Sequence, residues 1–191
     1  NNIKRMLAYS SVAHAGYMLL AMPVMSSESI YAIMIYLVMY LFMNLGAFFI
    51  IIFVKNKTGG ETFEDYKGLG WEMPTVGICM TIFMVSLTGL PPTAGFIGKF
   101  YIFASLIKGG SSFYWLVFAG AINSVISLYY YLKVVKVMFL DGDKKDVILQ
   151  PELPMFTMLM FTVIPSLLLG IYWSPLATWV KNSLVFYIQT I

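Results

Sequence analysis

Long apolar blocks, separated by short polar ones, dominate this chain. A helix that crosses a bilayer needs about 20 mostly apolar residues, and five blocks reach or approach that length: about 6–25, 30–54, 73–107, 113–140 and 154–173. The punctuation between them is local and polar. SSES (26–29) is a short turn in which Ser26 or Ser27 can cap the following helix. KNKTGGETFEDYKGLGWE (55–72) reads as a solvated connection, KGGSS (108–112) as a turn, and DGDKKDVILQPEL (141–153) as a loop. Pro165 is placed to kink the last block. The tail, 174–191, suits an interfacial helix, because Trp179, Lys181 and Tyr187 favour a membrane–water boundary. The pattern predicts an all-α fold: a polytopic transmembrane helical bundle with five spanning helices over 1–173.

The third block does not fit one span. As a single helix, 73–107 would run about 52 Å at roughly 1.5 Å per residue, against a hydrocarbon core of about 30 Å. Its middle, SLTGLPPTAGFIGKFY (86–101), contains Gly89, Pro91, Pro92, Gly95 and Gly98. Proline removes a backbone donor and clashes with the preceding turn, and Pro92 pushes Pro91 out of helical geometry. Two half-helices, about 73–88 and 96–107, broken near 89–95 at mid-membrane, resolve the length. Unpaired backbone survives at that depth only inside protein or beside a wet cavity, and discontinuous helices mark ion sites in transporters.

Composition supports the membrane reading. Of the 191 residues, 60% are hydrophobic and 11% charged, where a soluble domain carries about 25% charged residues; the mean hydropathy is +0.81. The net charge of +3 gives no case for nucleic acid. One cysteine (Cys79) and one histidine (His14) leave no metal-ligand cluster and cannot hold an iron–sulfur centre. The start, NNIKRML, has neither an initiating Met nor a signal-peptide pattern and reads as part of a longer polytopic chain. With the end that bears Asn1 named side one, nine of the twelve basic residues fall there: Lys4, Arg5, Lys55, Lys57, Lys67, Lys133, Lys136, Lys144 and Lys145. Lys108 and Lys181 fall on side two. The positive-inside rule makes side one cytoplasmic or its equivalent.

Lys99 is the remaining cation. It stands near the start of the second half-helix, about 12 Å of rise from that helix's outer end, too deep to snorkel easily. A lysine within the membrane marks a function by default, here a proton relay that is charged and neutral in turn; the alternative is an ordinary boundary lysine. A helix N-terminus also disfavours a cation. In YSSVAHAGY (9–17), Ser10, His14 and Tyr17 share one helical face with Ser11 close by. His14 is equally compatible with proton relay and with a packing hydrogen bond, since Gly16 permits close approach. Asn123, Ser127 and Tyr131 form a polar face in the fourth block, suited either to lining a water path or to interhelical hydrogen bonds. Lys133 lies one turn deeper than Lys136, which reads as an anchor. Asn44 and Gly46 read as packing residues.

LAYSSVAHAGY (7–17), SLTGLPPTAGFIGKFY (86–101) and SLYYYLKVV (127–135), in this order, resemble the C-terminal part of the subunit N family of bacterial NADH-quinone oxidoreductase, respiratory complex I. The first motif is shared with Mrp-type cation/proton antiporters, which supply the alternative reading. The resemblance implies an antiporter-like fold of two inverted repeats, of which this stretch matches most of the second plus the closing helix. It implies that Lys99 is the lysine of the outward proton half-channel and that His14 lies on a polar axis at mid-membrane. It implies no cofactor in this chain, with NADH, FMN, iron–sulfur clusters and quinone in partner subunits. The other implied partners are complex I membrane subunits, lipid, protons and internal water. The implied location is the bacterial inner membrane, with the C-terminus outside.

Overall fold

The structure, a computed structural model, describes residues 2–142 and 151–189, with side chains through Leu184. Lys144, Lys145 and the side chain of Tyr187 lie outside the described residues. Among the described residues eight α-helices follow one another: α1 (Ile3–Ala21), α2 (Ser27–Thr58), α3 (Leu69–Glu72), α4 (Pro74–Thr88), α5 (Ala94–Gly109), α6 (Tyr114–Phe139), α7 (Leu153–Ile171) and α8 (Ser174–Gln189). Among the described residues no strand forms beyond one isolated bridge, Asn2 with Thr62.

Local chemistry sets the helix ends. The Asn2 side chain accepts the Arg5 N–H at 2.8 Å and starts α1. Ser26 and Ser29 exchange side-chain and backbone hydrogen bonds, both 3.1 Å, in a capping box that starts α2. Gly59, with φ of 81°, closes α2 in the left-handed conformation that glycine adopts freely. At 32 residues α2 is longer at both ends than the apolar block 30–54 suggested, because the cap and the Lys55–Thr58 turn extend it into the polar zones. α7 stays helical through Pro165.

Among the described residues three helices are long and apolar enough to cross a membrane by length and composition: Ser27–Thr58, Ser111–Phe139 (α6 with its leading turn) and Leu153–Ile171. A fourth is reached if Glu64–Glu72 and Pro74–Thr88, bent by 114°, count as one span. The count of five therefore reduces to a coarser statement, an all-helical membrane bundle. The reason is plain: α4 and α5 have 15 and 16 residues, each too short alone, and α1 has its apolar run interrupted by Lys4, Arg5, two serines and His14.

Lipid gives apolar helix faces no reason to prefer each other, so close packing and internal hydrogen bonds hold such bundles. Small residues mark the seams. Gly46 of α2 lies against the Phe83 ring, and Gly170 of α7 sits against the backbone of Pro92 and Thr93. Val180 of α8 is buried, with Leu176 and Ala177 packed on the core, so α8 is a docked helix.

The segment 59–72 is not the solvated connection its charges suggested. Tyr66 and Leu69 are buried. Ile3 N–H bonds the Glu61 carbonyl at 2.9 Å, Gly68 N–H bonds the Val137 carbonyl at 3.3 Å, and the Trp71 indole donates to the Phe139 carbonyl at 2.8 Å. Glu61 accepts Lys55 at 2.9 Å and Lys4 at 3.3 Å. These ties gather the ends of α1, α2 and α6 at side one, while Lys108 and Glu28 meet at 3.0 Å at the opposite end.

Candidate functional site

Ending a helix leaves its last carbonyls without intrahelical donors. α4 stops at Thr88 because Gly89 turns left-handed, at φ 86°. Residues 89–93 then run outside any helix before α5 starts at Ala94. The freed carbonyls of Leu87 and Thr88 are taken by Lys99 Nζ, at 3.2 and 2.7 Å. The third proton of the ammonium goes to Ser124 Oγ at 2.9 Å, so all three donors of this group are satisfied. Nζ also stands 4.6 Å from the centroid of the Tyr17 ring, within cation–π range. Lys99 is 5% exposed, and every one of these partners is neutral.

This corrects the electrostatic expectation for Lys99. The residue does belong to the first turns of α5, but its side chain reaches back across the break to the C-terminus of α4. That is the negative end of a helix dipole, which favours a cation. Gly89 makes the route possible: a Cβ there would meet Lys99 Cδ at 2.8 Å.

The break is also narrower than the glycines suggested. Gly89, Pro91 and Pro92 lie in it, but Gly95 and Gly98 are inside α5. They serve close packing rather than interruption. Gly95 passes directly against the Ser86 carbonyl of α4, and Gly98 leaves the space that Tyr36 fills.

His14 is 1% exposed and lies between two phenols, with Nδ1 2.6 Å from Tyr36 OH and Nε2 3.0 Å from Tyr131 OH. Tyr131 OH in turn bonds Ser10 Oγ. Tyr17 OH donates to Ser124 Oγ at 3.0 Å or the Gly120 carbonyl at 3.2 Å. Two strings result, Lys99–Ser124–Tyr17 and Tyr36–His14–Tyr131–Ser10. They meet where the rings of His14 and Tyr17 stand 6.0 Å apart. The spacing of four and three on α1 places Ser10, His14 and Tyr17 on this shared face.

The structure thus brings together Lys99, His14, Ser10, Tyr17 and Tyr131. The other candidates stand around this group, and Asn123 hydrogen-bonds the Tyr17 side chain. Ser11 Oγ bonds the Leu7 carbonyl of its own helix, and Ser127 Oγ bonds the Ser124 carbonyl of its own helix. Asn123 and Lys133 line a cavity of about 600 Å³ between α1 and α6, together with Arg5, Ser10 and Tyr130. Lys133 is exposed there, 4.6 Å over the Phe63 ring. The sequence reading missed two participants. Ser124 shares a face with Ser127 and Tyr131 by steps of three and four, and the stricter step of four drew attention to Asn123 instead. Tyr36 carries no local signal among the aromatics of α2.

The family description "NADH:quinone oxidoreductase/Mrp antiporter, TM" matches residues 1–127, which include His14, Lys99 and Ser124. The chain belongs to this NADH:quinone oxidoreductase/Mrp antiporter family. A relative in it, NADH-quinone oxidoreductase subunit N 2 of Sorangium cellulosum (strain So ce56), is 48% identical over 188 residues. The match takes in 95% of this chain and 36% of that relative, so the chain spans little more than a third of the relative's length. Among solved structures, respiratory complex I from Thermus thermophilus matches with a TM-score of 0.77 and 30% identity, over 93% of this chain and 40% of that one. The membrane-bound sulfane sulfur reductase, an archaeal respiratory membrane complex, matches with a TM-score of 0.86 and 26% identity, over 97% of this chain and 37% of that one. Family membership and the apolar helices make the chain an integral membrane protein.

Proposed function

We propose that this chain is the C-terminal part of a proton-translocating subunit N of a bacterial NADH-quinone oxidoreductase, and that Lys99 is its proton relay. The observation that carries this reading is the buried ammonium held by neutral oxygens at a helix break. A carboxylate partner would lock the charge in place; two carbonyls, a hydroxyl and a ring face hold an ammonium and still accept the N–H groups of an amine. Of the three oxygens only Ser124 Oγ can both accept and donate, so it is the exit or entry point for the proton. Tyr17 OH continues the string from Ser124.

His14 serves the other string. A neutral imidazole has one donor and one acceptor nitrogen, and His14 presents them to Tyr36 and Tyr131. Water between Tyr17 and His14 would complete a path across the bundle centre. The α4–break–α5 unit then acts as one broken span, giving five spans with α1, α2, α6 and α7. Side one is cytoplasmic by its basic residues, and α8 follows α7 on the outer side. Protons leave outward along α5. The redox centres, NADH, FMN, iron–sulfur clusters and quinone, belong to partner subunits, and the direct partners are other membrane subunits of the complex.

The test is Lys99→Ala in the full-length subunit within the assembled complex, reconstituted in vesicles. Quinone reduction and proton uptake should both fall. Normal rates of both would end the relay assignment. Sodium- or potassium-dependent proton exchange by the subunit without its redox partners would instead establish the Mrp-type antiporter reading.

A further inference from the structure

Positive charge is scarce at side two, where Lys108 and Lys181 are the basic residues. They come from different helices, yet both line one groove of about 620 Å³ between the start of α2, the outer half of α5 and α8. Lys108 Nζ bonds Glu28 at 3.0 Å, while Lys181 is exposed and has no ion pair among the described residues. Two ammonium groups against one carboxylate leave the mouth of the groove positive. Its walls are of another kind: Phe100, Ala104 and Leu184 are apolar, and Tyr31 and Tyr101 meet edge to face at 5.6 Å. The Trp173 indole steadies Tyr101 with a 3.2 Å hydrogen bond.

We infer that this groove is a binding site for an anionic phospholipid, with the phosphate between Lys108 and Lys181 and an acyl chain along Phe100, Ala104 and Leu184. The division fits the boundary at which it lies. Helix ends and lysines sit where headgroups are, and tyrosines occupy the interfacial belt. The apolar floor descends along α5 toward the hydrocarbon. Lysines near an anionic surface attract it individually, and here two converge on a preformed cleft. The site is independent of the proton reading. It occupies the outer face of α5, the helix that carries Lys99.

The experiment uses the full-length chain in its assembled complex, delipidated in detergent and titrated with phosphatidylglycerol or phosphatidylcholine, with retained lipid counted by native mass spectrometry. Replacing both cations, Lys108→Gln with Lys181→Gln, should weaken phosphatidylglycerol retention about thirtyfold and leave phosphatidylcholine unchanged. Restoring charge with Lys108→Arg and Lys181→Arg should restore it. Glu28→Gln, which removes the competing carboxylate, should strengthen phosphatidylglycerol binding. Ala104→Trp, which fills the floor, should weaken both lipids. Unchanged phosphatidylglycerol retention in the double glutamine variant would overturn the site. So would displacement of the lipid by inorganic phosphate at equal concentration, which would make the groove a free-anion site.

Discussion

Lys99 and Glu61 hold single charges by opposite means. Glu61, on the side-one segment, is surrounded by donors: Lys55, Lys4 and the Asn2 amide. Those partners hold its carboxyl well below the usual range, at about 2, with Lys55 the largest cause. Lys99, at the broken helix, has neutral oxygens and a ring face. The first arrangement ties the loop to the ends of α1 and α2. The second satisfies a buried charge without committing it to a counter-charge, which suits the proton relay proposed for Lys99. Charge near water can be used as a tie, whereas charge in the bundle must be held by groups that stay neutral when it leaves.

The largest effect should come from making the charge at the Lys99 site permanent. Lys99→Arg keeps the cation but not its chemistry, because guanidinium does not deprotonate. Proton transfer through the assembled complex should fall roughly a hundredfold, the usual loss for an acid–base group. Retained pumping in this variant would mean that the charge, and not its proton, is what matters.

Gly95→Ala tests the packing of the same break. A Cβ here runs into the Ser86 backbone carbonyl, which has no rotamer with which to yield. Overpacking of this kind costs about 1–3 kcal/mol, and the melting temperature of the complex should drop. Gly98→Ala should cost less stability, since the obstruction is a side chain, the Tyr36 ring, and not backbone. It should instead impair pumping by moving that phenol away from His14. Equal effects of the two on both measurements would contradict the packing described.

Ser124→Ala removes the one partner of Lys99 able to pass a proton. The hydrogen bond to a charged group contributes about 1.5–3 kcal/mol. Pumping should fall while Ser124→Thr, which keeps the hydroxyl, restores it. The smallest effect belongs to Glu61. Its folded carboxyl titrates below its ordinary value, so the tie is complete above about 4.5 and is lost as pH falls toward about 2. Hydrogen exchange of residues 59–68 should rise over that window and not at neutral pH. In Glu61→Gln that acid dependence should vanish; its persistence would assign the effect to Asp65, whose carboxyl is lowered by hydrogen bonds from Thr62.

The helical class, the break in the third apolar block, the cap at Ser26 and the alternation of helix ends between two sides are all written in the amino-acid sequence. Each follows from length, backbone stereochemistry or charge, which act within a few residues or along one helix. Lys99 and His14 were legible for the same reason: a charge and an imidazole in an apolar run are conspicuous without any neighbours. Tertiary structure alone decided what those groups touch. Lys99 is bound by carbonyls of a different helix, and carbonyls leave no mark in composition. Ser124, beside Asn123, reaches Lys99 because the rotation of α6 about its axis is set by the helices it packs on. Tyr36 entered the site because Gly98, distant in sequence, made room for it. The charged segment 59–72 became a packed cap because its buried tyrosine and leucine found partners on α6 that no local pattern could announce.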